Sequence, residues 1–329
     1  MADSAHRVPV VAVSGAAGQI SYSLVFRLIA GDLFGPDCPL VLRLLETEAA
    51  RPQLEGVAME LADCASPLLA SVSCHDQPDE AFRDADVVFL IGARPRTQGM
   101  ERADLLSINA AIFSAQGGAL DRVAHPKVRV LVVGNPVNTN ALIALRNAPR
   151  LSPQNFTGMT RLDHNRAVGL VAQKAGLGVT DVHQLAIWGN HSTSQFPDLH
   201  QTRLGGAPAF ERIDQAWYET VMIPTVRQRG AEVIRVRGRS SAGSAAEAAL
   251  SQMRDWLFGT PGDSWTSMAV SSRGEYGIAE GLFFSFPIRV IEGHWQIVEG
   301  LPLNALQQRY IRHSEAELLA ERALVGHLI

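Results

Sequence analysis

Cysteine is scarce. The 329 residues hold three, Cys38, Cys64 and Cys74, spaced too widely for a CxxC pair or a zinc-ligand pattern. A disulfide-stapled scaffold and a cysteine metal centre are excluded, no metal is expected, and the three read as buried thiols of a reducing compartment. Neither sign of charge dominates, because 29 Lys and Arg stand against 33 Asp and Glu for a formal net charge of −4. With no basic field and no dense Lys/Arg run there is no footprint for nucleic acid. No apolar run approaches the length that crosses a bilayer, and Met1 to Arg7 lack the apolar stretch of a signal peptide. The expectation is a cytoplasmic protein without a membrane partner. None of the four tyrosines has a lysine four residues on, which removes the Tyr-x-x-x-Lys pair of an extended short-chain epimerase. Internal repeats and low-complexity linkers are also absent.

What is present is 47% hydrophobic residues, enough for a large core in two lobes or one large α/β unit. Val8 to Val13 is a β-branched run ending in a glycine turn, after which Leu24, Val25, Leu28 and Ile29 recur at helical spacing. Further strands are expected over Leu40 to Leu45, Asp86 to Gly92 and Val128 to Gly134, with helical patterns over Leu54 to Leu61 and Leu105 to Val123. Strands alternating with helices imply a parallel sheet covered on both faces.

The second half reads differently. A helix is expected over Met159 to Ala175, a strand over Gln184 to Trp188, and a long helix over Asp214 to Arg235 interrupted at Pro224. Small residues from Ser240 to Ala246 suit a helix that approaches a neighbour closely. Antiparallel strands are expected over Ser267 to Val270, Leu282 to Val290 and Trp295 to Val298, and Ser314-Glu315-Ala316-Glu317 reads as a capping box opening the final helix. The fold class is α/β, an N-terminal Rossmann parallel sheet over 1–155 with a C-terminal α+β catalytic domain over 156–329.

Gly15-x-x-Gly18-x-x-Ser21 follows a strand and opens a helix, the context a dinucleotide fingerprint requires. The first glycine permits the turn, the second lets backbone N–H groups approach a pyrophosphate, and the helix N-terminus favours negative charge. Glu46, at the end of the second strand, stands where a carboxylate accepts hydrogen bonds from an adenosine ribose and repels a 2′-phosphate. That favours NAD, while Arg51 nearby keeps NADP open.

Three arginines, an aspartate and a histidine then follow in order: Arg96, Arg102, Asp163, Arg166 and His191. Arginine forks match carboxylates, so their number beside a nucleotide fingerprint points to a small dicarboxylate. His191 and Asp163 supply a proton carrier and its orienting partner. His164 is the decoy, since neighbours on a helix diverge by about 100° and Asp163 is poorly placed to orient it.

The segments Gly15 to Ile20, Leu54 to Leu61, Gly99 to Arg102, Gly134 to Asn140, Thr160 to Arg166 and Trp188 to Ser192 resemble, in the same order, the cytosolic-type malate dehydrogenases of the lactate/malate dehydrogenase superfamily. The resemblance runs from about Val10 to the C-terminus. It implies reversible NAD-dependent oxidation of malate to oxaloacetate in the tricarboxylic acid cycle, by a homodimer. It also implies that Gly15, Ala16, Ala17, Gly18, Gln19, Ile20 and Ser21 form the phosphate turn and that Glu46 holds the ribose. Asn109, Gln116, Val133, Gly134 and Asn135 line the cofactor, Arg96, Arg102, Asn135 and Arg166 contact substrate, and His191 with Asp163 moves the proton. Ser21, where the family more often has glycine, Thr47 and Arg239 depart from the pattern. A lactate-type enzyme shares the His191, Asp163 and Arg166 logic, but a monocarboxylate would leave Arg96 unpaired. A non-catalytic nucleotide-binding protein is argued against by the presence of every proposed catalytic residue.

Overall fold

The computed structural model describes residues 7–94 and 102–329, with the side chains of 102–105 outside what it describes. Arg96 therefore lies outside the described residues, and Arg102 is described only as the start of a helix backbone. The first half alternates as the hydrophobic pattern predicts: β1 (Val10–Ser14), α1 (Gln19–Ile29), β2 (Leu40–Leu45), α2 (Arg51–Asp63), β3 (Leu69–His75), a short α3 (Pro78–Ala81), β4 (Val87–Leu90), α4 (Arg102–Val123), β5 (Arg129–Val132), α5 (Val137–Arg146) and β6 (Phe156–Gly158). These six strands pair in parallel in the order 3-2-1-4-5-6. Every residue of β1 and β4 is buried, as expected of strands covered on both faces. Strand order reverses between β1 and β4, so their carboxyl ends open a crevice at the switch point, where such sheets bind ligands.

The second half comprises α6 (Arg161–Ala175), β7 (Val182–His183), β8 (Ala186–Trp188), β9 (Phe196–Asp198), β10 (Arg203–Leu204), β11 (Ala207–Pro208), α7 (Gln215–Trp217), α8 (Ile223–Arg237), α9 (Gly243–Phe258), β12 (Thr266–Ser271), β13 (Phe283–Ile291), β14 (His294–Ile297) and α10 (Ala305–Leu324). β12, β13 and β14 are antiparallel and extend the main sheet beyond β6 through the pair Ala269 and Gly158. One sheet thus runs through both halves. The alanine-rich face of α9, with Ala245, Ala246 and Ala249 buried, lies against α1 and α6, the close approach its small residues allow.

Several local expectations need correction. The final helix opens at Asn304, whose side chain accepts from the Gln307 N–H at 3.0 Å while Gln307 answers at 2.8 Å. Ser314 and Glu317 lie inside that helix and are used elsewhere. The cysteines are free but not buried: Cys64 is exposed, and Cys38, in the loop before β2, and Cys74, in β3, are half-buried. The strand expected over Gln184 to Trp188 shortens to β8, because Gln184 takes a left-handed φ of 59° that separates β8 from β7. The helix around Pro224 is re-spaced by a π turn, Tyr218–Met222, which leaves Pro224 in the first turn of α8, where a missing N–H costs least.

Candidate active site

Two turns at the carboxyl ends of β1 and β4 build the nucleotide end of the crevice. Gly15 has φ of 64°, and a Cβ there would lie 2.4 Å from the Gly92 Cα, so the two backbones touch only because neither residue has a side chain. The Gly18 N–H donates to the Gly15 carbonyl at 3.0 Å and closes the turn into α1. No side chain caps α1, so the N–H groups of Gln19, Ile20 and Ser21 have no intrahelical partner and face the positive end of the helix. Glu46 is tied to this turn through the Ala17 N–H at 3.3 Å and accepts from the Thr47 N–H at 3.1 Å.

A cavity of about 470 Å³ continues from Gly15 and Glu46 past Thr47, Ile108 and Ile112 to Gln116, whose buried Oε1 has no hydrogen-bond partner. A dinucleotide fits this cradle: an anion site at the α1 N-terminus, carboxylates for ribose hydroxyls, apolar walls for a flat base and an orphan acceptor. Asn109 is fully buried; its side chain exchanges hydrogen bonds with both the N–H and the carbonyl of Arg94 and donates to the Asn135 carbonyl at 3.1 Å. It braces the chain leaving β4 against the chain leaving β5. Val133 and Gly134 are buried at that brace, while Asn135 is exposed. Ser21 is accommodated with its Oγ buried and unpartnered.

Arg51 is occupied. It pairs with Glu55 at 3.2 Å and Asp76 at 2.9 Å, and Asp76 lines the same cavity as Glu46. A 2′-phosphate would meet two carboxylates and an arginine already neutralised. We predict that kcat/KM with NADH exceeds that with NADPH by at least about tenfold, the scale of one unfavourable charge contact; parity between the two would show that Arg51 abandons its partners for the phosphate.

A second cluster is assembled from α6, the loop after β8 and α5. Asp163 and Arg166 stand one turn apart on α6, with Asp163 wholly buried. One carboxylate oxygen of Asp163 accepts from Arg166 at 3.1 Å and from Gln195 at 3.3 Å, and the other is hydrogen-bonded to Nδ1 of His191. Arg166 also donates to Ser241 Oγ at 3.2 Å. Burial opposes charge on both members of the His191–Asp163 pair, but their mutual attraction and hydrogen bond prevail. His191 is held above the ordinary imidazole value, with Arg166 opposing, and Asp163 below the ordinary carboxylate value, with Arg166 and Gln195 assisting.

His191 follows Gly189, whose φ is 98° and where a Cβ would lie 2.1 Å from Ser314 Oγ. The His191 N–H donates to Asn138 Oδ1 at 2.9 Å, and Asn138 in turn donates to the carbonyls of Gly189 at 3.2 Å and Phe283 at 3.0 Å. Gln195 was not singled out by sequence reasoning; Ser241 entered only with the small-residue stretch and Asn138 only within a quoted motif, and nothing local reveals that the Asn138 amide reaches a loop 53 residues away. His164 faces elsewhere: its Nδ1 pairs with Ser267 at 3.0 Å, and burial pushes its pKa down to about 3. It lines a separate cavity of about 520 Å³ with Arg161 and Trp265, to which neither Asp163 nor His191 contributes.

The sign of the pH dependence follows. Asp163 contributes stability that is present above its unfolded pKa and lost as pH falls through its depressed folded value; the raised His191 contributes below its unfolded pKa and loses that contribution as pH rises through its folded value. For an alcohol oxidation that needs neutral imidazole, the acid limb of the rate profile should lie above that of free imidazole. Asp163→Asn should move that limb to lower pH and reduce the plateau. A limb that stays in place would dissociate Asp163 from the titration.

A switch-point cradle that suits a dinucleotide, together with a histidine–aspartate pair beside a half-buried arginine, is the equipment of a nicotinamide-dependent oxidoreductase. The comparisons sharpen that class. Residues 10–157 match the family model described as lactate/malate dehydrogenase, NAD binding domain, and residues 160–328 match lactate/malate dehydrogenase, alpha/beta C-terminal domain. The chain belongs to the lactate/malate dehydrogenase family and binds NAD. It is similar to a malate dehydrogenase from Naegleria fowleri, at 47% identity over 98% of both chains with a TM-score of 0.94. It is also similar to a Trichomonas vaginalis lactate dehydrogenase in complex with NADH and oxamate, at 37% identity over 97% of this chain and 98% of the other, with a TM-score of 0.93. A malate dehydrogenase from Plasmodium falciparum with NADH shares the fold at 21% identity and a TM-score of 0.81, over 97% of this chain and 99% of the other.

Proposed function

We propose that this dehydrogenase interconverts (S)-malate and oxaloacetate with NAD. The observation that carries the reaction type is Asp163 bridging His191 and Arg166, which joins a proton carrier to a carboxylate fork in one rigid unit. NAD, when bound, supplies the hydride acceptor. In malate oxidation neutral His191 takes the hydroxyl proton at Nε2, while Asp163 fixes the Nδ1–H tautomer and stabilises the imidazolium. Arg166 holds the carboxylate next to the reacting carbon with a bidentate fork. Asn135 donates to the carbonyl oxygen, Arg102 stabilises the alkoxide-like charge, and Arg96 meets the distal carboxylate. Gly15 to Ser21, Glu46, Asn109, Gln116 and Val133 to Asn135 form the cofactor side, Asn109 by bracing its wall.

Arg96 favours malate over lactate, because a methyl group would leave its charge without a partner. NADH oxidation compared between oxaloacetate and pyruvate tests the reading: a higher kcat/KM for oxaloacetate supports it, and a higher value for pyruvate overturns it in favour of a lactate dehydrogenase. The proposal extends to a homodimer acting in the cytoplasm within the tricarboxylic acid cycle, with the halves dividing near 155. The dimer is supported by the family resemblance and by exposed apolar side chains at Met59, Ile234 and Val236. The cytoplasmic setting rests on the unpaired cysteines.

A further inference from the structure

The loop carrying His191 is held by α10 as well as by α5 and α6. Asn190 donates its N–H to Ser314 Oγ at 2.8 Å, and its side-chain amide reaches two carboxylates of α10, Glu317 Oε2 at 3.0 Å and Glu321 Oε1 at 3.1 Å. The hydroxyls of Ser192 and Ser194 both donate to that same Glu317 oxygen. Ser194 also bonds Ser314 at 2.8 Å. Thr139 donates to the other oxygen of Glu321 and is the neighbour of Asn138, which accepts the His191 N–H. Donors on both sides of His191, and on the helix that receives its backbone, therefore end on two acidic side chains one helical turn apart.

Packing alone does not require this. Asn190 and Glu321 are only 2% and 3% exposed, and apolar residues would fill such space without the cost of desolvating a carboxylate. An ionised carboxylate has acceptors only, so it fixes several donors at once and leaves no alternative pairing pattern. We infer that Glu317, supported by Glu321, is a positioning residue for the proton step: it gathers Asn190, Ser192 and Ser194 and so sets where the His191 imidazole stands relative to Asp163. The inference rests on the proposed role of His191. Among the described residues, the charged groups that act on that imidazole are Asp163 and Arg166 of α6.

The test compares Glu317→Ala, Glu317→Gln and Glu315→Gln in the full chain. Glu315 is a buried carboxylate of the same helix that accepts from the Ala279 N–H and Arg312, away from the histidine loop. Readouts are kcat, NADH affinity, melting temperature and the downfield NMR resonance of the His191 Nδ1–H, assigned by its loss in His191→Asn. Glu317→Ala should lower kcat by about tenfold to a hundredfold, the scale of a small misplacement of a catalytic group, and shift or broaden that resonance with NADH affinity unchanged. Glu317→Gln, which keeps the shape and one acceptor, should recover part of both. Glu315→Gln should lower the melting temperature alone. If the folded Glu317 variants keep the parent's kcat and resonance, the inference fails; if Glu317→Ala does not fold, Glu317→Gln decides on the same two readouts. Near-normal turnover in His191→Asn would instead remove the underlying reading of the histidine.

Discussion

Replacing His191 by asparagine is expected to reduce turnover by roughly a hundredfold to ten-thousandfold, the range for loss of general acid–base catalysis, while NADH binds as before. Asparagine is close in size to the near half of the imidazole and retains a donor toward Asp163, so the loop held by Asn138 and α10 should keep its path. The cofactor cradle is lined by residues from the ends of β1, β2 and β4 and from α4, and His191 is not among them. The loss should therefore fall on kcat, with NADH affinity unchanged in a fluorescence titration. Near-normal turnover would transfer the proton to another group. His164 is a poor substitute because its pKa of about 3 keeps it neutral and it faces a different cavity.

The second large effect is expected at Arg96, which lies outside the described residues, so its prediction rests on the sequence and on the proposed reaction. With oxaloacetate the guanidinium meets a carboxylate; with pyruvate it meets a methyl group and must stay wet or be buried unpaired. Arg96→Gln keeps length and hydrogen-bonding capacity but removes charge. It should cost oxaloacetate reduction about 2–5 kcal/mol of transition-state stabilisation, the scale for breaking a desolvated charge pair, and improve pyruvate reduction. The measurement is kcat/KM for both substrates in parent and variant. An unchanged oxaloacetate-to-pyruvate ratio would show that Arg96 does not read the distal group, and would direct attention to Arg94 or to the neighbourhood of Ser241, already bonded to Arg166.

The parallel sheet and the glycine turn were legible in the sequence, because each depends on neighbours along the chain. Strand β1, its turn and α1 announce themselves through a continuous β-branched run that gives way after Gly15 to apolar residues at helical spacing. Glu46 is readable because a strand end fixes its place. The C-terminal capping box was misread for the converse reason: Ser-x-x-Glu is a local pattern, and only the packed helix shows that Asn304 caps it while Ser314 and Glu317 turn inward. The cysteines were misjudged because burial is a property of the assembled surface.

By itself, then, the sequence determined which side chains are available and the order of strands and helices that carries them, since composition and periodicity act locally. Only the tertiary structure decided their pairing. It turned Asp163 toward His191 and left His164 to Ser267, tied Arg51 to Asp76, and led Asn138 and Glu317 to opposite flanks of one loop. A hydrogen bond between residues more than a hundred positions apart has no signature along the chain. It exists only where packing removes water and leaves each buried donor a single acceptor.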